Sequence, residues 1–212
     1  MSLSIGVIGS GTVGQVLAAG YAQKGHAVTI GTRTPEKLAS WKEKNPGVGI
    51  SDVATAAAAD VVIVAVAGSG ATSAVESAGA ALNGKVVIDA CNPIAGAPVN
   101  GFIPYFTGPN DSLMERLQAL VPGARFVKAF NSVGNAVMID PAFTAGRPTM
   151  FICGNDAAAK STVTALLDEV GWDAEDVGGV EMARAVEPLC QLWCATGFLG
   201  RGWGHAFKVV RG

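Results

Sequence analysis

The run Ile5-Gly6-Val7-Ile8-Gly9-Ser10-Gly11-Thr12-Val13-Gly14 constrains this chain more than any other stretch. A short β-branched segment ends in Gly-x-Gly-x-x-Gly and passes into a helical pattern at Val13, Val16, Leu17 and Tyr21. In a strand–turn–helix unit each glycine answers a separate steric demand. Gly9 makes the tight turn off the strand, Gly11 lets backbone approach a pyrophosphate, and Gly14 lets helix pack on strand. The helix then offers unpaired N–H groups and its positive dipole end to that anion. With 28 glycines in the chain, three of them alone would say little. Their setting, after one strand and ahead of another opening near Ala27, makes a bound dinucleotide the expectation. The bland alternative is a glycine-rich turn that binds nothing.

Half the residues are apolar and only 15% are charged, as expected of parallel strands buried on both faces. The expected fold is α/β: a Rossmann-type doubly wound, mostly parallel sheet with a small C-terminal elaboration. The 212 residues are read as a single domain, about 1–150 forming the core and 151–212 packed on it. A net charge of −2 offers no basic field for nucleic acid. The best apolar run, Val61 to Ala67, is strand length, far short of the roughly 20 residues that span a bilayer. A first strand starting near Leu3 leaves no room for a signal peptide. A cytoplasmic protein with no nucleic-acid or membrane partner is therefore expected. Cys91, Cys153, Cys190 and Cys194 form no C-x-x-C pair and have no histidine at zinc-finger spacing. They read as core thiols, and no metal is expected.

The end of the second strand, Ala27-Val28-Thr29-Ile30, decides which dinucleotide. A site that prefers NAD usually carries an acid there, on the adenosine ribose. This chain instead reads Gly31-Thr32-Arg33-Thr34-Pro35-Glu36-Lys37. Thr32 can donate to a 2′-phosphate and Arg33 can grip it with a planar fork. Thr34 and Pro35 have the character of N-cap and first residue of the next helix, which would put Lys37 in its first turn near the same anion. Arg33 and Lys37 as plain solvated charges is the competing reading. NADP(H) is the expected cofactor.

Later strands repeat the pattern of small or polar residues just past a strand end. Asp60 to Val66 leads into Ala67-Gly68-Ser69-Gly70, with room for a nicotinamide ribose or simply a glycine turn, before a helix from Ala71 to Leu82. Lys85 to Asp89 leads into Ala90-Cys91-Asn92-Pro93. Residues 95–110 read as a long loop that either flanks the site or packs down on its own aromatics. Asp111 is expected to cap a helix with its apolar face at Leu113, Leu117 and Leu120. Arg125 to Phe130 is the fifth strand, and its Lys128 is either solvent-facing or a partner for the cofactor or a helix end. Thr149 to Cys153 is the sixth, Asp156 caps a helix to Val170, and Trp172 to Val177 is another extended piece. Glu181 to Phe198 is helical with Pro188 as start or kink, and the tail 200–212 is a candidate subunit contact in a homodimer.

Taken together these strand ends resemble the coenzyme F420-dependent NADP reductase family and related bacterial dinucleotide-binding oxidoreductases. The cytosolic reductase domain of the six-transmembrane metalloreductases is similar too. The resemblance rests on Gly9-Ser10-Gly11-Thr12-Val13-Gly14, Gly31-Thr32-Arg33 with Lys37, Asp89-x-x-Asn92-Pro93, Lys128-Ala129-Phe130-Asn131 and Glu187-Pro188-Leu189-x-x-Leu192-Trp193. It implies NADPH along the strand ends, its nicotinamide near Ala67, Asn92 and Pro93, and a deazaflavin or flavin ring as acceptor. The family often has proline and a bulky residue where this chain has Ala67-Gly68-Ser69-Gly70, a departure that loosens the acceptor side.

Hydride transfer between two rings needs alignment more than an acid or base, whereas reducing a carbonyl or imine needs a proton donor. Donors are scarce here: His26 on the adenine side, His205 in the tail, Tyr21 and Tyr105. The scarcity favours a flavin-like co-substrate such as coenzyme F420. The alternatives are a small carbonyl or imine, a ferric chelate, or a non-catalytic NADPH sensor.

Overall fold

The structure, a computed structural model, describes residues 2–212. Its centre is a six-stranded sheet of β1 (Ser4–Ile8), β2 (Ala27–Gly31), β3 (Gly49–Ser51), β4 (Val61–Val64), β5 (Val86–Asp89) and β6 (Arg125–Lys128), ordered β3-β2-β1-β4-β5-β6. All five neighbouring pairs are parallel. The chain winds outward from β1 in one direction, then returns and winds in the other. The crevice outside the carboxyl ends of β1 and β4 is therefore the topological switch point where open parallel sheets hold ligands.

Burial on both faces explains the unbroken apolar strands. In β4, Val61 and Ile63 join one core cluster while Val62 and Val64 join the other. The first face is covered by α1 (Thr12–Gln23) and α6 (Ala157–Glu169), through Leu17, Tyr21, Val163 and Leu166. The second is covered by α3 (Val53–Ala57), α4 (Gly68–Ala78) and α5 (Leu113–Leu120), through Ala57, Val75, Met114 and Leu117. Burying each of these valine, leucine and methionine side chains stabilises by about 1.5–3 kcal/mol.

Four local expectations change. Residues 35–38 form a 3₁₀ turn before α2 (Ala39–Lys44), and Thr34 makes no side-chain cap; its N–H instead donates to Thr32 Oγ1 at 3.2 Å. The helix expected from Ala71 begins at Gly68, so the glycine-rich stretch is its first turn and not a loop. Ser112, not Asp111, caps α5, its hydroxyl accepting from the Glu115 N–H; Leu120 is exposed and Met114 takes the buried place. The run at 149–153 does not extend the main sheet. Its β7 (Thr149–Ile152) pairs in parallel with β8 (Asp173–Asp176) in a sheet of two, joined to β6 by an antiparallel bridge from Lys128 to Cys153.

Asp156 caps α6 as expected. Pro188 starts α8 (Leu189–Thr196), which follows the short α7 (Ala183–Val186). The tail lies along β7, with Phe207 C=O accepting from Thr149 N–H at 2.8 Å. The four cysteines are buried and unbridged. Among the described residues no helix is long and apolar enough to cross a membrane, and no cluster of acids, histidines and cysteines could hold a metal.

Candidate functional site

The opening turn meets the steric demands expected at Gly9 and Gly14. Gly9 has φ +129°, and a Cβ there would lie 2.2 Å from Ala65 C=O, a conformation and an approach that only glycine tolerates. A Cβ on Gly14 would lie 2.1 Å from Gly9 C=O, so the first turn of α1 sits directly on the strand-to-helix turn. A Cβ on Gly11 would meet nothing within 4 Å. Gly11 is the N-cap of α1 and Thr12 its first residue; both are exposed, no side chain caps the helix, and no acid lies in its first turn. Val13 is half-buried behind them. A free helix N-terminus with open space before it fits a pyrophosphate.

Beside this turn runs a cleft of about 670 Å³, lined by Gly9, Ser10, Thr32, Arg33, Lys37 and Ala67 among others. The sheet brings together residues from the ends of β1, β2 and β4. Arg33 and Lys37 are exposed, and neither has an ion-pair partner among the described residues. Two cations free of ion pairs fit a bound phosphate dianion; Glu36 shares the 3₁₀ turn with Lys37 but does not pair with it. Thr32 is buried and its hydroxyl already donates to Ser10 Oγ at 3.0 Å. Thr32 therefore ties the glycine turn to β2, and the hydroxyl hydrogen left to face the cleft is that of Ser10.

The cleft also holds Ser73 and Ser77, which the sequence left unmarked. Ser69, Ser73 and Ser77 face it from α4 together with Gly70 and Thr34. Their four-residue spacing is a polar stripe on one helix face, hidden when the helix is taken to begin at Ala71 rather than Gly68.

Asn92 and Pro93 do not line this cleft but abut its wall: a Cβ on Gly68 would lie 2.0 Å from Asn92 C=O. Asn92 and Asn131 interlock, Asn92 Nδ2 donating to Asn131 C=O at 2.8 Å and Asn131 Nδ2 to Asn92 Oδ1 at 3.3 Å and to Val186 C=O at 2.9 Å. Asn131 Oδ1 is buried without a partner, and Phe130 before it holds φ +63°. A bulky residue in the left-handed region costs about 1–3 kcal/mol and persists where its surroundings over-determine it. Here it turns the chain end so that the two carboxamides meet.

Lys128 is not solvent-facing. It is fully buried, its ammonium 2.8 Å from each of Asp89 Oδ2, Glu187 Oε1 and Cys91 C=O, three acceptors for three donors. Burial alone would lower its pKa; the carboxylates of Asp89 and Glu187 more than offset that and hold it above the ordinary lysine value. Asp89 Oδ1 also accepts from Cys91 N–H, and Glu187 accepts from Leu113 and Met114 N–H at the start of α5.

The candidate proton donors are engaged elsewhere. Tyr21 is buried and donates to Leu166 C=O. His26 is at the amino end of β2, opposite the cleft, where it pairs with Glu169. Tyr105 donates to Glu187 C=O, and His205 contacts Thr196 and stacks on Trp193. The 95–110 loop is anchored by Phe106 N–H on Pro93 C=O and a bridge from Ile94 to Tyr105. Its Phe102 is 58% exposed, so its aromatics are not all packed down.

A family model described as NADP oxidoreductase, coenzyme F420-dependent, matches residues 4–93. A solved structure of a candidate F420-dependent NADP reductase from Arthrobacter sp. FB24 superposes with a TM-score of 0.92 at 34% identity, over 99% of this chain and 100% of the other. The chain belongs to the F420-dependent NADP oxidoreductase family. The F420-dependent NADP reductase of Methanocaldococcus jannaschii is 28% identical and 95% of each chain is covered. Rat (Rattus norvegicus) metalloreductase STEAP3 is 28% identical over 87% of this chain, which spans 36% of that protein. Membership makes the chain an NADP-dependent oxidoreductase of Rossmann type, as the strand ends implied.

Proposed function

We propose that this chain binds NADPH across the carboxyl ends of β1, β2, β4 and β5 and exchanges hydride with a flavin-like ring such as coenzyme F420. In this reading Gly9, Ser10, Gly11, Thr12, Val13 and Gly14 form the pyrophosphate turn. Thr32, Arg33 and Lys37 form the 2′-phosphate end, Thr32 acting through Ser10. Ala67, Asn92 and Pro93 border the nicotinamide. Bound NADPH would supply the hydride; the residues named hold its anions and fix its ring.

The observation that carries the reading is the pair of cations at the end of β2, Arg33 and Lys37, which line the cleft without an ion-pair partner among the described residues. Arg33→Ala should weaken NADPH at least tenfold and leave NADH nearly unchanged, because only NADPH carries the 2′-phosphate that a charge-assisted fork would grip. Equal losses for both nucleotides in a fluorescence titration would remove the case for the 2′-phosphate.

The flavin-like acceptor is supported by the engaged state of Tyr21, His26, Tyr105 and His205, which leaves a carbonyl or imine without an evident proton donor. It is supported also by the activities named for the Arthrobacter and Methanocaldococcus relatives. Oxidation of NADPH in the presence of coenzyme F420, FMN or a ferric chelate, each tested separately, measures the choice. Turnover with the chelate alone would favour the metalloreductase side of the resemblance; tight NADPH binding without any turnover would favour a sensor. The same reading takes the chain as one domain acting in the cytoplasm as a homodimer. Its exposed Leu192, Leu199 and Trp203 are the surface a second copy would cover, which sedimentation measures.

A further inference from the structure

Lys128, Asp89 and Glu187 are each buried, with side chains no more than 2% exposed. One cation against two anions leaves one excess negative charge inside the protein. Around the triad, Arg184 pairs with Glu115, Arg116 with Asp111 and Lys160 with Asp176, while Glu181 beside Arg184 adds a further negative charge. The triad is tied directly to the nicotinamide side. Lys128 donates to Cys91 C=O and Asp89 accepts from Cys91 N–H, so the residue before Asn92 is clamped from both ends. Three residues past Lys128, Asn131 interlocks with Asn92 and donates to the C=O of Val186, the neighbour of Glu187. β5, β6, α5 and the α7–α8 junction therefore meet at one buried charge cluster under the Asn92–Pro93 shelf.

We propose that the Lys128–Asp89–Glu187 triad sets the redox preference of the nicotinamide site, its excess negative charge favouring the cationic ring of NADP⁺ over the neutral ring of NADPH. Lys128, Asp89 and Glu187 are positioning residues: they touch neither ring but fix the shelf and the field around it. The two forms of the cofactor differ by one unit of charge at the nicotinamide, so a fixed unit charge nearby discriminates between them by its full Coulomb energy. For a charge about 10 Å away in a medium of effective dielectric about 20–40, that is roughly 4- to 15-fold in affinity. The N-terminus of α5 facing Glu187 offsets part of the field in the native protein, but a variant that removes one carboxylate charge still changes it by a whole unit. The consequence is a bound couple poised toward hydride donation by NADPH.

The inference rests on the nicotinamide placement proposed above, and the test separates the two. Dissociation constants for NADP⁺ and for NADPH are measured by calorimetry and fluorescence on the native chain, Glu187→Gln and Asp89→Asn. The ratio Kd(NADP⁺)/Kd(NADPH) should rise about 4- to 15-fold in each variant, since both remove one negative charge. A structural role would weaken both forms alike and leave the ratio where it was, and an unmoved or falling ratio overturns the proposal. Either variant decides alone if the other does not fold. Failure of the native chain to bind either nucleotide would instead overturn the proposed function.

Discussion

A methyl group added at Gly11 and one added at Gly14 meet opposite surroundings. The first points into open space, on an N-cap residue with φ −74° that any amino acid adopts. The second would overlap Gly9 C=O. Gly11→Ala should therefore leave the urea midpoint within error while weakening NADPH at least tenfold. Gly14→Ala should cost about 1–3 kcal/mol of stability through overpacking before any nucleotide is added. Equal effects of the two on stability would show that Gly11 serves the fold and not a ligand. The steric places of Gly9 and Gly14 were legible because their spacing encodes local geometry. The hydroxyl of Thr32 was not, because its partner Ser10 lies 22 residues earlier and only strand pairing brings them together. Lys128 was ambiguous for the same reason: Asp89 is 39 residues away, and no periodicity announces that a lone charge in an apolar strand has a buried counter-ion.

Elements were most legible where local propensity and tertiary packing agree. The β1-α1-β2 unit has both, and its boundaries follow from the sequence to within a residue or two. α4 does not, because Gly68-Ser69-Gly70 is a poor helix start by propensity. The helix begins there because Gly68 lets its backbone approach the Asn92–Pro93 turn, a contact invisible in the chain itself. α5 shows how a helix start is held by side chains from two places. Ser112 Oγ accepts from Glu115 N–H and donates to Glu115 Oε2, while Glu187 accepts from Leu113 and Met114 N–H. Reading Asp111 as the cap erred by one residue; Asp111 binds Arg116 instead. Ser112→Ala should cost about 0.5–2 kcal/mol in urea unfolding and leave the NADP⁺/NADPH ratio unchanged, since Glu187 keeps its charge. A change in the ratio would mean that α5 itself moves the shelf.

At the scale of the molecule, a sheet buried on both faces places several titratable groups where only one protonation state is tolerated. Burial, reinforced by the Asp89 charge, pushes the Cys91 thiol up; burial pushes Cys153 up to about 12 and raises the Tyr21 hydroxyl. Lys128 is raised by its two carboxylates against the effect of burial. In the unfolded chain these groups titrate near their ordinary values of 9.0 for the thiols, 10.0 for tyrosine and 10.5 for lysine. A raised folded-state pKa means that the native state keeps its proton while the unfolded state releases one, so stability falls as pH rises. Below about pH 8 these four groups contribute almost no slope. Between pH 9 and 10 the two thiols together should remove roughly 2–3 kcal/mol, at about 1.4 kcal/mol per group and pH unit, and Tyr21 and Lys128 steepen the fall beyond that. Urea unfolding from pH 7 to 11 in the presence of reductant measures the slope. Cys91→Ala should remove about 1 kcal/mol of the loss between pH 9 and 10, after allowance for its own constant cost at neutral pH. A native chain whose stability is level through pH 10 would show that the buried thiols ionise in the folded state as freely as in the unfolded one.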